Sequence, residues 1–68
     1  MDERCIGFVE WYDRTSGTGW IVPLGGTTPV RAYRDDIEGE CGSLSVDQQV
    51  SFTIELGEGR FVARHIRP

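Results

Sequence analysis

Lysine is absent from these 68 residues, so every side-chain cation at neutral pH is one of seven arginines: Arg4, Arg14, Arg31, Arg34, Arg60, Arg64 and Arg67. Arginine forks onto phosphates and stacks on aromatic faces, which lysine does poorly. The formal net charge of -4 argues against a purely electrostatic nucleic-acid binder, although Asp35, Asp36, Glu38 and Glu40 gather much of the negative charge into one segment. No apolar run approaches the roughly 18 residues that span a membrane. Met1 is followed by Asp2-Glu3-Arg4, with no apolar signal-peptide segment, so a cytoplasmic address is expected.

Cysteine occurs twice, as Cys5 and Cys41, outside any C-x-x-C or Cys/His cluster, which argues against structural zinc. Two free thiols are the expectation for an intracellular chain, and a bridge would need the two α-carbons within about 7 Å. His65 is the single histidine and has no companion motif. Adjacent acids such as Asp35 and Asp36 diverge on a short turn, and no nucleophile, metal ligand or phosphate loop accompanies them. Capping and solvation explain them better than acid-base catalysis. Gly17-x-Gly19 does not complete a dinucleotide fingerprint. These absences predict no enzyme, no cofactor, no metal, no membrane contact and no small-molecule substrate.

The most informative stretch is 7–23, GFVEWYDRTSGTGWIVP, in which two aromatic-bearing runs flank polar, glycine-containing turn chemistry. A hairpin follows. Alternation along its second arm puts Thr18, Trp20 and Val22 on one face and Gly19 and Ile21 on the other. Residues 1–4 are polar and expected to fray, and Gly7 is a candidate bulge. After Pro29, Val30 and Ala32 should face inward, with Arg31 and Tyr33 outward. Asp35-Asp36-Ile37 reads as one helical turn, with Asp35 as cap and Ile37 as an apolar plug. Val50, Phe52 and Ile54 alternate with Ser51, Thr53 and Glu55. The last run, 60–66, leaves its register open: Val62 and Ile66 or Phe61 and Ala63 could face in, or parts of both through a bulge.

One domain, 1–68, is expected, with strands at about 5–13, 18–23, 29–34, 48–56 and 59–67. A chain this short buries only about 60% of its unfolded surface, and a small closed barrel suits that limit. Both an oligonucleotide/oligosaccharide-binding (OB) barrel and an SH3-like barrel fit the strand count.

The stretch 7–23 resembles the bacterial cold-shock domain pattern G-x-V-K-W-F-N-x-x-K-G-F-G-F-I-x-P. Gly7, Val9, Trp11, Gly17, Gly19, Ile21 and Pro23 match it, and Tyr12 and Trp20 keep an aromatic. Glu10, Asp13, Ser16 and Thr18 depart from it. Val30-Arg31-Ala32-Tyr33 stands where that family has V-F-V-H, and Gln48-Gln49-Val50-Ser51-Phe52 resembles its G-Q-x-V-x-F, with Asp47 for the glycine. Its loop aromatic has no counterpart in 38–43. The resemblance covers 6–66 and decides the expected fold: an all-β, five-stranded antiparallel OB-fold barrel. It implies an RNA chaperone or gene-expression regulator that binds single-stranded RNA or DNA.

The expected binding face is Trp11, Thr18, Trp20, Arg31 and Tyr33, with Arg14 and Arg34 at its edge. Outward aromatics stack bases of any sequence, and arginines add phosphate or cation-π contacts. Single strands are the expected ligand, because bases stacked in a duplex present no free face. Two readings compete with it: the tryptophans could be core, or a barrel without nucleic-acid binding could use Trp11, Trp20 and Tyr33 to hold a protein partner. Tyr12 is expected to be partly buried.

Overall fold

A computed structural model describes residues 4–26, 28–39, 43–57 and 59–68. The terminus before Arg4, Thr27 and Glu58 of the expected loops, Glu40 of the acidic cluster and the Cys41 thiol lie outside the described residues. Five strands, β1 (Cys5–Asp13), β2 (Thr18–Pro23), β3 (Val30–Tyr33), β4 (Gln49–Leu56) and β5 (Phe61–Arg67), form a closed barrel in the order β1-β2-β3-β5-β4. Four seams are antiparallel. The fifth, β3 to β5, is parallel, so the barrel is mixed rather than purely antiparallel. Parallel neighbours need a crossover connection, and here the 3-10 turn Arg34–Asp36, the following loop and β4 supply it.

The core comes from alternate residues of every strand, among them Val9, Ile21, Val30, Ala32, Val50, Phe52, Ala63 and Ile66, with Ile37 and Leu44 closing on it. Ile37 plugs the barrel as expected and bridges to Ile66. Asp35 does not cap the turn: Tyr33 holds the capping position and makes no side-chain cap hydrogen bond. Asp36 is instead paired with Arg64 across to β5.

The bulge lies between Val9 and Trp11, not at Gly7. Gly7 instead marks a close approach of strands, since a Cβ there would press on the Val22 carbonyl and on Ile21 and Phe52. The open register of β5 resolves into parts of both alternatives. Val62, Ala63 and Ile66 are all buried while Phe61 is exposed. A second bulge, opposite the interval Ser51 to Thr53, allows this, and His65 adopts a left-handed φ of 51° there. Ile54 differs from Val50 and Phe52 in being exposed. Arg4 is anchored rather than frayed, its Nη2 donating to the Ser51 carbonyl at 3.0 Å and to that of His65. Cys5 is a half-buried free thiol. No helix among the described residues is long and apolar enough to cross a membrane.

Candidate functional site

The outward side of β1, β2 and β3 carries two rows of side chains, set by strand register. Trp11 lies opposite Trp20, and Trp20 opposite Arg31; in the next row Asp13 lies opposite Thr18, and Thr18 opposite Tyr33. Trp11 is 48% exposed, and Thr18, Trp20, Arg31 and Tyr33 are half-buried. Their counterparts on β2 and β3, Gly19, Ile21, Val30 and Ala32, are buried. The tryptophans are therefore not core residues. Tyr12, by contrast, packs against the core, as expected.

Gly19 is what lets the tryptophan row form. It faces the interior opposite Tyr12, and a Cβ there would run into the Trp11 carbonyl and the Tyr12 ring. The β1-β2 turn is held by Asp13, whose carboxylate accepts from the Thr15 amide and the Ser16 hydroxyl, both at 3.0 Å. Ser16 also shares a 2.9 Å hydrogen bond with the Thr18 hydroxyl.

The cations of this side are held differently from one another. Arg31 places its guanidinium carbon 4.3 Å from the Trp20 ring centroid and 6.0 Å from that of Tyr33. Its Nε is buried and has no hydrogen-bond partner. Arg34 folds back over Gly17, whose φ is 71°, and its Nη2 donates to the Arg14 carbonyl, so it clasps the turn instead of standing free at the edge. Arg14 itself is exposed.

Sequence reasoning missed the neighbouring groove. Trp20, Pro23, Pro29, Ile54, Arg60 and Phe61 line an open, largely apolar depression of about 690 Å³ beside the tryptophan row. Phe61 is 58% exposed. Arg60 borders this groove and also a smaller one that it shares with Tyr33 and Arg64. The signal was the unresolved alternation of 60–66: a run with one apolar residue too many for a two-sided strand presents one of them to solvent. Phe8, outward opposite Val22, is a further exposed aromatic.

The margin formed by the 3-10 turn and β5, which meets the aromatic face where Arg64 and Tyr33 line one depression, is ionic. Arg64 Nη1 donates to Asp36 Oδ1 at 3.0 Å, Arg67 Nε to Glu38 Oε1 at 2.8 Å, and His65 Nδ1 lies 3.4 Å from Glu38 Oε2. The hydrogen bond to Asp36 raises the Arg64 pKa above its ordinary value. That from Arg67, ahead of a smaller contribution from His65, lowers the pKa of Glu38. No group of three or more metal-ligating side chains occurs among the described residues.

A closed five-stranded barrel of the OB type, carrying a row of half-exposed aromatics on three adjacent strands, is the class that fold and face together define. The solved structure of drosophila Unr CSD456 superposes with a TM-score of 0.80 at 17% identity, over 97% of this chain and 26% of that one, which supports the fold. The cold shock-like protein CspB of Yersinia pestis is 34% identical over 59 residues, 85% of this chain and 84% of the relative. The cold shock protein CapA of Pseudomonas fragi is 36% identical over 59 residues, covering 85% and 92%. The chain belongs to the cold-shock protein family. No protein-family model matches it.

Proposed function

We propose that this protein binds single-stranded RNA or DNA by stacking bases on the outward face of β1, β2 and β3, without a catalytic step, in the cytoplasm, as an RNA chaperone or regulator of gene expression. The observation that carries the reading is the register that aligns Trp11, Trp20 and Arg31 in one outward row beside Thr18 and Tyr33. Rings exposed in a row accept successive unstacked bases, each stack contributing about 1 to 3 kcal/mol. Family membership supports it. Glu10 and Asp13 sit at the border of the face, and Arg34 is engaged with the turn. Few cations are therefore free for phosphates, and the salt dependence should be shallow, at about -0.7 in log-log slope per phosphate neutralised.

The test is intrinsic tryptophan fluorescence during titration with short single-stranded oligonucleotides at low salt, beside a duplex control. Quenching by single strands and not by duplex is expected. No response to any single strand would overturn the proposal. A second reading has its own observation: the groove between Trp20 and Phe61 is apolar and open, as a protein anchor site would be. Capture of a protein through Trp11, Trp20 and Tyr33, with no oligonucleotide binding, would favour it.

A further inference from the structure

A phenyl ring at position 31 would accept any base, but a guanidinium does not. Arg31 ends the row Trp11-Trp20-Arg31 on β3, stacked on Trp20 and with Tyr33 two residues further along its own strand. Its only partners among the described residues are those two rings, and its Nε is buried without a hydrogen bond. The remaining N–H groups, on the two terminal nitrogens, are thus the ones left to meet a ligand. Stacking on Trp20 restrains the side chain, so less conformational freedom remains to be lost when those groups are used.

From this placement, and resting on the single-strand reading above, we infer that Arg31 makes the face selective for guanine at one position of the bound strand. Because the guanidinium covers one face of Trp20, a base laid on the exposed Trp11 ring beside it would lie next to the guanidinium and meet it edge to edge. Two N–H groups pointing the same way require two adjacent acceptors. Guanine offers them as O6 and N7, whereas adenine sets an N6 donor beside both N7 and N1, and thymine or uracil has an N3 donor between its two carbonyls. Cytosine N3 and O2, free in a single strand, are the competing pair, so a cytosine-bearing strand is titrated beside the guanine one, and a cytosine that bound as tightly would overturn the selectivity. A phosphate would also satisfy the fork, but a phosphate contact is indifferent to the base, so the comparison of guanine with adenine at one position separates the two. Arg64 and Arg67 could not serve this way, because carboxylates already occupy them.

The experiment uses oligothymidylates of about eight nucleotides, each carrying one guanine moved stepwise along the strand, titrated at one fixed salt concentration. One register should bind about 5- to 150-fold more tightly than the others and than the same strand with adenine there. Inosine, which keeps O6 and N7, should retain the gain, and 7-deazaguanine should lose it. Arg31→Lys, with its fold checked by circular dichroism, should lose the guanine gain, the guanine- and adenine-bearing strands binding it equally whatever its affinity for plain thymidylate. Equal affinity for guanine, adenine and thymine at every register would overturn the inference while leaving single-strand binding standing, as would a gain that persists with 7-deazaguanine. Absence of binding to every strand would overturn both.

Discussion

Arginine does two different jobs in two neighbouring regions of this barrel. Along β5 and the 3-10 turn, Arg64 and Arg67 are matched to Asp36 and Glu38 at 3.0 and 2.8 Å. On the face of β1 to β3, Arg31 has aromatic rings for company and no carboxylate among the described residues. The formal charge of -4 averages over both. Two of the acids that make the chain look unfit for nucleic acid are occupied on the β5 side. A net charge measures solubility and long-range steering, but which side of a small barrel is attractive depends on which cations are already neutralised.

The bluntest way to break the contrast is to remove what supports both regions. Ile21 is fully buried behind Trp20, and Ile21→Ala should cost about 2 to 5 kcal/mol of stability, read from denaturant melts. A loss well under that would mean the barrel collapses around the gap.

Next comes a paired test of the two regions. Trp20→Ala should weaken oligonucleotide binding by about 1 to 3 kcal/mol and leave the domain folded. Arg67→Ala, in the ionic cluster on Glu38, should leave affinity close to wild type. If both variants lost affinity equally, the distinction between a binding face and a structural margin would fail. Thr18→Phe should sharpen the contrast by adding a ring two residues from Trp20 on the same side of β2. One extra stack predicts roughly 5- to 150-fold tighter binding, less whatever the turn loses when the Ser16–Thr18 hydrogen bond goes. No gain in a folded variant would argue against base stacking.

The smallest effect belongs to the ionic margin. The pKa of Glu38 is lower in the folded protein than its ordinary 4.5. Its contribution is therefore present above pH 4.5 and is lost as pH falls through the folded value. The melting temperatures of wild type and Glu38→Gln should differ slightly near neutrality and converge in acid. A gap that widened in acid would reverse the sign of this contribution.

The fold was legible because its signals are local. β2 alternates cleanly, glycines stand where strands approach closely, and the resemblance over 6–66 chose between two barrels of equal strand number. The parallel β3-β5 seam was not legible, since nothing in either run encodes which way a non-sequential neighbour points. Position 31 was read correctly as outward, but its stack on Trp20 depends on cross-strand register, which one strand's pattern cannot show. The apolar groove escaped because Ile54 and Phe61, neighbours beside the β4-β5 turn, meet Trp20, Pro23 and Pro29 only when the barrel closes. Arg4 looked like a frayed polar terminus because its partners, the carbonyls of Ser51 and His65, are tens of residues away in the chain.

The single extra residue in β1 acts as a parity bit for the whole face. Val9 points in, Glu10 and Trp11 both point out, and Tyr12 points in again. Everything after the bulge is therefore shifted by one count relative to everything before it. A chain that kept Glu10 but lost the bulge would exchange the two aromatics, sending Tyr12 to solvent and Trp11 toward an interior sized for a smaller ring. A chain lacking Glu10 would instead read in, out, in through Val9, Trp11 and Tyr12 and keep both where they are. Deletion of Glu10 should therefore leave the tryptophan emission unshifted, and a blue shift would show that the bulge does more than absorb one residue.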